Sequence, residues 1–324
     1  MYLDVHCVAQ CNPRHRPELK IWNTPHMQYY GAPETQALLP FPALVNMLAR
    51  TVRDYANGAI TCPPRTVVPT QDGNGTLMCM PTVAEDLIAT KILTIFGNNP
   101  ALHLPTIQGI ITCADAHNGR FLFNLDGPTV TMRRTSAISM LGIRTFATGA
   151  VNRVLLIGTG TQAFAHVEAL CALYPGIEVI IRGRTPERAE HFCRQHATHL
   201  LTLHPEAPRE TPFDVVITTT ASTTPIYDGK ADPHCLVIGV GAYRPDMAEI
   251  APQTVRASQL YVDDPVGAPT EAGDILQAGV NWNNVHALAQ ALDTPPDPTQ
   301  PVFFKSVGCA VWDLAACRVA HTML

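Results

Sequence analysis

Apolar positions along this chain follow two regimes. From residue 154 onward, short β-rich runs alternate with stretches of helical spacing; the runs lie at 154–157, 179–182, 214–218, 236–240 and 260–262. Repeated strand–helix alternation is the pattern of a parallel sheet in an α/β domain. Upstream, runs at 65–69, 77–80, 107–113 and 120–125 read as strands, while 83–96 carries helical spacing and 36–57 looks helical. That region, about 100 residues, reads as α+β. Residues 135–148 predict a helix leading into the run at 154–157. The stretch DTPPDPTQP (293–301) is a break, and from Phe303 an FKSVG segment and an apolar helix over 310–320 return toward the first region. Residues 1–35 are polar, proline-bearing and irregular, and are left as an unplaced extension.

The most specific signal is VLLIGTGTQAFAHVEAL at 154–170. An apolar strand runs into Gly158-Thr159-Gly160-Thr161-Gln162-Ala163, and a helix follows. This is the context in which G-x-G-x-x-A marks a dinucleotide site. Gly158 permits the tight turn, and Gly160 lets backbone approach a pyrophosphate seated on the helix N-terminus. A ligand-free strand-to-helix turn is the plainer alternative. The next strand ends in Arg182-Gly183-Arg184-Thr185, with no acid to accept from a ribose 2′-hydroxyl. Guanidinium groups and a hydroxyl suit a 2′-phosphate, which favours NADPH, with NADH still possible. Arg184 and Arg188 also suit a solvated helix start. Thr219, Thr220 and Ser222 follow the strand at 214–218 and are expected to line the cofactor crevice.

Composition narrows the class. The chain has 324 residues, enough for two domains, with 22 basic and 27 acidic side chains spread along it. No basic stripe argues for nucleic acid, no apolar run approaches a membrane span, and the first ten residues lack a signal peptide's pattern. The ten cysteines show no C-x-x-C pair or zinc spacing, so a reducing cytoplasm and no metal are expected. His191 and His196 lack partner ligands and read as helix-surface residues.

Taken in order, several short segments resemble the ornithine cyclodeaminase/mu-crystallin family from about residue 36. They are Arg65-Thr66-Val67-Val68-Pro69, Met80-Pro81, the lysine segment around Lys91, Asp126-Gly127, Arg134-Thr135, the glycine turn, Glu271-Ala272-Gly273-Asp274, and Phe304-Lys305-Ser306-Val307-Gly308. The resemblance implies a homodimer with a Rossmann-type domain over 135–302. A substrate and dimerisation domain is expected from 36–134 and 303–324. It also carries substrate-carboxylate binding onto Arg65, Lys91 and Arg134. The chemistry agrees, because Arg grips a planar carboxylate through two parallel hydrogen bonds and Lys adds a point charge. Asp274, in a loop at the carboxyl end of a strand, is expected near the nicotinamide or substrate; a helix N-terminal acid fits equally. Lys305 reads as structural.

One departure separates the family's activities. Ornithine cyclodeaminases carry a Gly-Gly-Asp-x-Pro-Gly-Lys segment, whereas this chain has Gly241-Ala242-Tyr243-Arg244-Pro245-Asp246. Tyr243 replaces the aspartate, and a phenol with pKa near 10 is no anionic base at neutral pH. Met78 stands where the cyclodeaminases have a glutamate. The segment G-A-x-R-P-D is similar to mu-crystallin and bacterial ketimine reductases. The resemblance therefore implies NADPH-dependent reduction of Δ1-pyrroline-2-carboxylate to L-proline and Δ1-piperideine-2-carboxylate to L-pipecolate, with Lys91 and Tyr243 as catalytic candidates. Tyr243 as a packing residue fits equally. The competing readings are an ornithine cyclodeaminase, an alanine-type amino-acid dehydrogenase and a non-catalytic small-ligand binder.

Overall fold

A computed structural model describes residues 27–206 and 212–324. Most of the N-terminal extension, residues 1–26, lies outside the described residues, but its end does not. Strand β1 (Gln28–Tyr30) and helix α1 (Ala32–Leu38) are regular, so the expected irregular stretch is shorter than 1–35. Helix α2 (Phe41–Ala56) follows, its apolar face of Leu44, Val45, Leu48 and Val52 turned inward at helical spacing. Then come β2 (Thr66–Pro69), β3 (Gly75–Val83), β4 (Leu87–Phe96), β5 (Ile107–Asp115) and β6 (Phe121–Asp126). They form a six-stranded sheet in the order β1-β6-β5-β4-β3-β2, antiparallel except for the β1–β6 pair.

The expected helix over 83–96 is instead the end of β3, a short turn and strand β4. Half of its ten residues are β-branched Ile or Thr, and Leu87, Ala89, Lys91 and Leu93 alternate inward with period two. Apolar residues at every second position also satisfy some helical spacings, so the pattern by itself does not separate helix from strand. Pairing on both sides, with β3 and β5, decides for the strand.

Helix α3 (Gly127–Phe146) begins earlier than the expected 135, because the Asp126 side chain caps it by accepting from Thr129 N at 2.8 Å. Most of α3 is buried. It packs on α2 and β5, and one contiguous core runs from Leu44 and Ile111 through Ile138 to Leu156 and Ile217.

Beyond α3 the chain alternates as the apolar runs imply. The elements are β7 (Arg153–Ile157), α4 (Thr161–Leu173), β8 (Glu178–Arg182), α5 (Pro186–Gln195), β9 (Thr202–Pro205), β10 (Val215–Thr218), β11 (Leu236–Gly239), α6 (Pro252–Arg256), β12 (Gln259–Val262), α7 (Ala268–Glu271), α8 (Gly273–Ala278), β13 (Val285–Ala287), α9 (Leu288–Asp293), β14 (Val302–Lys305) and α10 (Ala310–Met323). Eight strands form one wholly parallel sheet in the order β13-β12-β14-β11-β10-β7-β8-β9. The architecture is thus α/β, a Rossmann-type sheet joined to an α+β unit.

The returning segment divides. Its strand β14 lies between β12 and β11 in the parallel sheet, so 303–305 do not belong with the first region as expected. Helix α10 does pack on α2 and β4. The turn between β14 and α10 consequently stands where the two units meet. Among the described residues no helix is long and apolar enough to cross a membrane.

Candidate active site

Alternation along β4 turns Lys91 inward, Arg65 immediately precedes β2, and Arg134 lies two turns into α3. All three line one cleft of ≈ 330 Å³. Met78, Met80, Leu93, Ile95 and Ile107 form its apolar wall. Gln162, Thr219, Thr220, Gly241 and Tyr243 face it from the parallel sheet, and residues 306–308 also line it. The cleft therefore opens at the carboxyl ends of β7, β10 and β11, where α/β sheets bind ligands.

Each cation has a carboxylate partner. The Lys91 Nζ is 2.8 Å from Asp313 Oδ2, and Arg134 Nε is 3.5 Å from Asp313 Oδ1. Arg65 Nη2 donates to Glu271 Oε2 at 2.7 Å and to the Gly308 carbonyl at 3.0 Å. Burial pushes the Lys91 ammonium below the usual lysine range; Asp313 opposes this, and the Arg134 and Arg65 charges add to it. Burial likewise raises the Glu271 carboxyl, against the pull of Arg65.

The turn beneath these cations is held by Asp263, at the end of β12. Its carboxylate accepts from Ser306 Oγ and Val307 N at 2.8 Å, Gly308 N at 3.0 Å and Trp312 Nε1 at 3.1 Å. Saturating a buried carboxylate in this way keeps it from costing stability and fixes the loop.

The glycine turn has the shape its sequence requires. Gly158 has φ +130°, and a Cβ there would lie 2.5 Å from Thr219 Oγ1. Gly160 stands at the N-cap of α4 without a side-chain cap, and a Cβ on it would meet nothing within 4 Å. Thr161 opens the helix, Ala163 is wholly buried, and Gln162 Oε1 is buried without a hydrogen-bond partner among the described residues. Open backbone, uncapped N–H groups and an unpartnered amide oxygen fit a dinucleotide pyrophosphate and its neighbouring groups. Opposite, Thr220 donates through N and Oγ1 to Glu249 Oε1. Glu249 also accepts from Thr218 Oγ1 and Gly241 N, so one buried carboxylate ties the ends of β10 and β11.

Other candidates lie elsewhere. Arg182 gives Nε and Nη2 to the two oxygens of Glu206, each at 2.6 Å, and so is already spent on a carboxylate. Arg184 and Thr185 are exposed, Thr185 at the N-cap of α5. Ser222 donates to the Thr224 carbonyl and does not line the cleft. Asp274 is not at the cleft either: it is buried, accepts from Glu249 N and Ile250 N, and pairs with Lys305 at 3.1 Å. Tyr243 lines the cleft and is 48% exposed. Sequence reasoning missed Asp313, Asp263 and Glu249. Only Asp313 carried a signal, as an acid inside the apolar run AVWDLAAC.

The family model described as the ornithine cyclodeaminase/mu-crystallin family matches residues 31–323. Over 298 residues the chain is 47% identical to the Δ1-pyrroline-2-carboxylate/Δ1-piperideine-2-carboxylate reductase of Azospirillum brasilense, covering 91% of this chain and 95% of that one. It is 47% identical over 297 residues to Δ1-pyrroline-2-carboxylate reductase 1 of Burkholderia multivorans, with the same coverage of 91% and 95%. In fold it is similar to the Thermococcus litoralis Δ1-pyrroline-2-carboxylate reductase solved with NADH and L-proline. The TM-score is 0.79 at 22% identity, covering 91% of this chain and 97% of that chain.

Proposed function

The chain belongs to the ornithine cyclodeaminase/mu-crystallin family, and from that premise we propose that it is an NAD(P)H-dependent reductase of cyclic ketimine carboxylates. Its substrates are Δ1-pyrroline-2-carboxylate, giving L-proline, and Δ1-piperideine-2-carboxylate, giving L-pipecolate. The observation that carries this reading is the cleft itself: Arg65, Lys91 and Arg134 converge on one side and the glycine turn's Gln162 on the other. The 47% identity to reductases of these imino acids supports it.

The residues divide the work. Arg65 and Arg134 hold the substrate's planar carboxylate, and Lys91 adds a buried charge. Met78, Met80, Leu93, Ile95 and Ile107 pack on the ring and keep water from it. Gly158, Gly160, Thr161, Gln162 and Ala163 hold the dinucleotide, with Thr220 facing them. When bound, a reduced nicotinamide supplies a hydride to the C=N carbon. The imine binds protonated, so its nitrogen already carries the proton the amine needs. Tyr243 offers a hydroxyl donor at the rim of the cleft. Met78 and Tyr243 both line the cleft, and neither is a carboxylate, which favours reduction over ornithine cyclisation.

NADPH is the preferred cofactor in this reading. The preference rests on the exposed Arg184 and Thr185, with Arg188 nearby, rather than on Arg182. The protein works as a homodimer, supported by the apolar outer face of the antiparallel sheet, where Val68, Leu77 and Ile92 are exposed. A cytoplasmic setting accords with the free thiols of the eight described cysteines.

The test is the fall in near-UV absorbance when NADPH is mixed with Δ1-pyrroline-2-carboxylate, with NADH and L-ornithine as controls. Rapid oxidation, faster with NADPH, is the expected result. Ammonia release from ornithine with NAD, and no imine reduction, would overturn the reading.

A further inference from the structure

Asp313 lies in the first turn of α10, 1% exposed, with one oxygen 2.8 Å from Lys91 Nζ and the other 3.5 Å from Arg134 Nε. Neither oxygen has a hydrogen bond of good geometry to any other described group. The carboxylate is thus reserved for the two cations. Counting the cleft's charges, Arg65 is answered by Glu271, while Lys91 and Arg134 share Asp313. Lys91 and Arg134 thus have a single protein carboxylate between them, which leaves them able to receive a second, that of the substrate.

We propose that Asp313 is a positioning residue that keeps Lys91 in its ammonium form at the cleft, so that a second cation stands beside Arg134 to receive the substrate's carboxylate. The proposal rests on the imino-acid reading of the cleft.

The physical argument is the company Lys91 keeps. It is buried on β4. The charged groups that act on it most are Asp313 from α10, Arg134 from α3 and Arg65 from the segment before β2, with Glu271 of α7 paired to Arg65. Burial and both guanidiniums favour the neutral amine, and Asp313 opposes them. Cys317, a further titratable group acted on by Asp313, has its thiol pushed well up by its hydrogen bond with Cys113 and by burial, and so stays uncharged. Without the Asp313 charge, burial and the two guanidiniums are left to favour the neutral amine. A neutral amine cannot attract a carboxylate by charge, so loss of Asp313 weakens substrate binding and does so more as pH rises.

The experiment compares D313N and D313E with the wild-type chain, reading kcat, KM and the pH profile of kcat/KM for Δ1-pyrroline-2-carboxylate, with NADPH binding followed by quenching of protein fluorescence. In D313N, NADPH binding stays within about twofold of wild type. KM for the imine rises at least about tenfold, more than kcat falls, and the alkaline limb of kcat/KM moves down by about one pH unit or more. D313E returns the limb toward its wild-type position. A D313N enzyme that binds NADPH and keeps both the wild-type KM and the wild-type limb overturns the proposal. If D313N does not fold, K91M and K91M/D313N are compared, since the double variant removes anion and cation together. Equal KM values support action through Lys91, and a further tenfold rise in the double variant overturns it. A wild-type chain that does not reduce the imine sinks the functional reading itself, whereas wild-type turnover with an unaltered D313N sinks only this inference.

Discussion

Gly308 is packed against the guanidinium of Arg134: a Cβ on Gly308 would lie 2.6 Å from Nη1 and 3.2 Å from Nη2. The same residue has φ +74° and gives its carbonyl to Arg65. One glycine therefore sets the place of two of the three cleft cations. Gly308→Ala must strain the backbone and displace Arg134. The expected cost is roughly 1–3 kcal/mol of stability, with KM for the imine raised about tenfold or more. Thermal melting and steady-state kinetics at saturating NADPH check this. A variant with wild-type KM would show that Arg134 need not stay where Gly308 holds it.

The Arg182–Glu206 pair makes a separate prediction about cofactor choice. Two hydrogen bonds of 2.6 Å occupy Arg182, and Glu206 raises its pKa further, so its charge is answered within the protein. Arg184 is exposed. Arg184→Ala is expected to weaken NADPH binding about tenfold and to leave NADH binding within about twofold, as loss of one charged hydrogen bond implies. Titration of each cofactor, followed by protein fluorescence, reads both. Equal losses for the two would remove Arg184 from 2′-phosphate recognition.

Legibility followed the distance over which the physics acts. The turn at Gly158 and Gly160 was visible because strand, turn and helix are consecutive in the chain. The three cations were visible only through resemblance; their mutual placement depends on β4, whose alternation was read as helical spacing. Asp313 was invisible as a partner because it reaches Lys91 and Arg134 from the far end of the chain. The partner of Arg182, Glu206, is hidden in the sequence because it follows β9, a four-residue strand ending in His204-Pro205 with too little apolar pattern to recognise. Its place after a strand puts Asp274 near the nicotinamide or substrate in the sequence reading. Its burial against Lys305 is a matter of β14 entering the parallel sheet, which no local pattern announced.

His166 links the cofactor turn to α3 and gives a pH prediction. Its Nδ1–H donates to the Gln162 carbonyl at 2.7 Å, and its Nε2 accepts from Ser139 Oγ at 2.8 Å, so the neutral ring is already fully used. Burial lowers its pKa to about 4. The unfolded chain, with a histidine near 6.5, binds a proton between these values that the folded chain does not. Stability from this group is therefore complete above about pH 6.5 and is lost as pH falls toward 4. Between pH 7.5 and 5.5 the loss is about 1 kcal/mol, or roughly 2 °C in melting temperature for a chain of this size. His166→Gln should flatten that part of the profile while lowering stability overall. An unchanged slope in the variant would assign the pH dependence to other groups.

The outer face of the antiparallel sheet yields the last prediction. On β4, Ile88, Thr90, Ile92 and Thr94 point away from α10, opposite to Lys91. Across the strands, Ile92 stands opposite Cys79 and Ile110, and Val68 opposite Leu77. Val68, Leu77 and Ile92 are 49%, 38% and 38% exposed in the single chain. A contiguous apolar sheet face of this kind gains by burial against a second copy, at about 25 cal/mol for each Å² removed from water. An aspartate in its middle would have to lose its hydration to be covered, at a cost of several kcal/mol without a partner. Ile92→Asp is therefore expected to turn a particle of twice 35.1 kDa into one of 35.1 kDa. Light scattering after size exclusion measures the mass, and circular dichroism verifies that the sheet remains. Because Ile92 points away from the cleft, the folded monomer should still bind NADPH. A variant that keeps the doubled mass would place the interface on another surface.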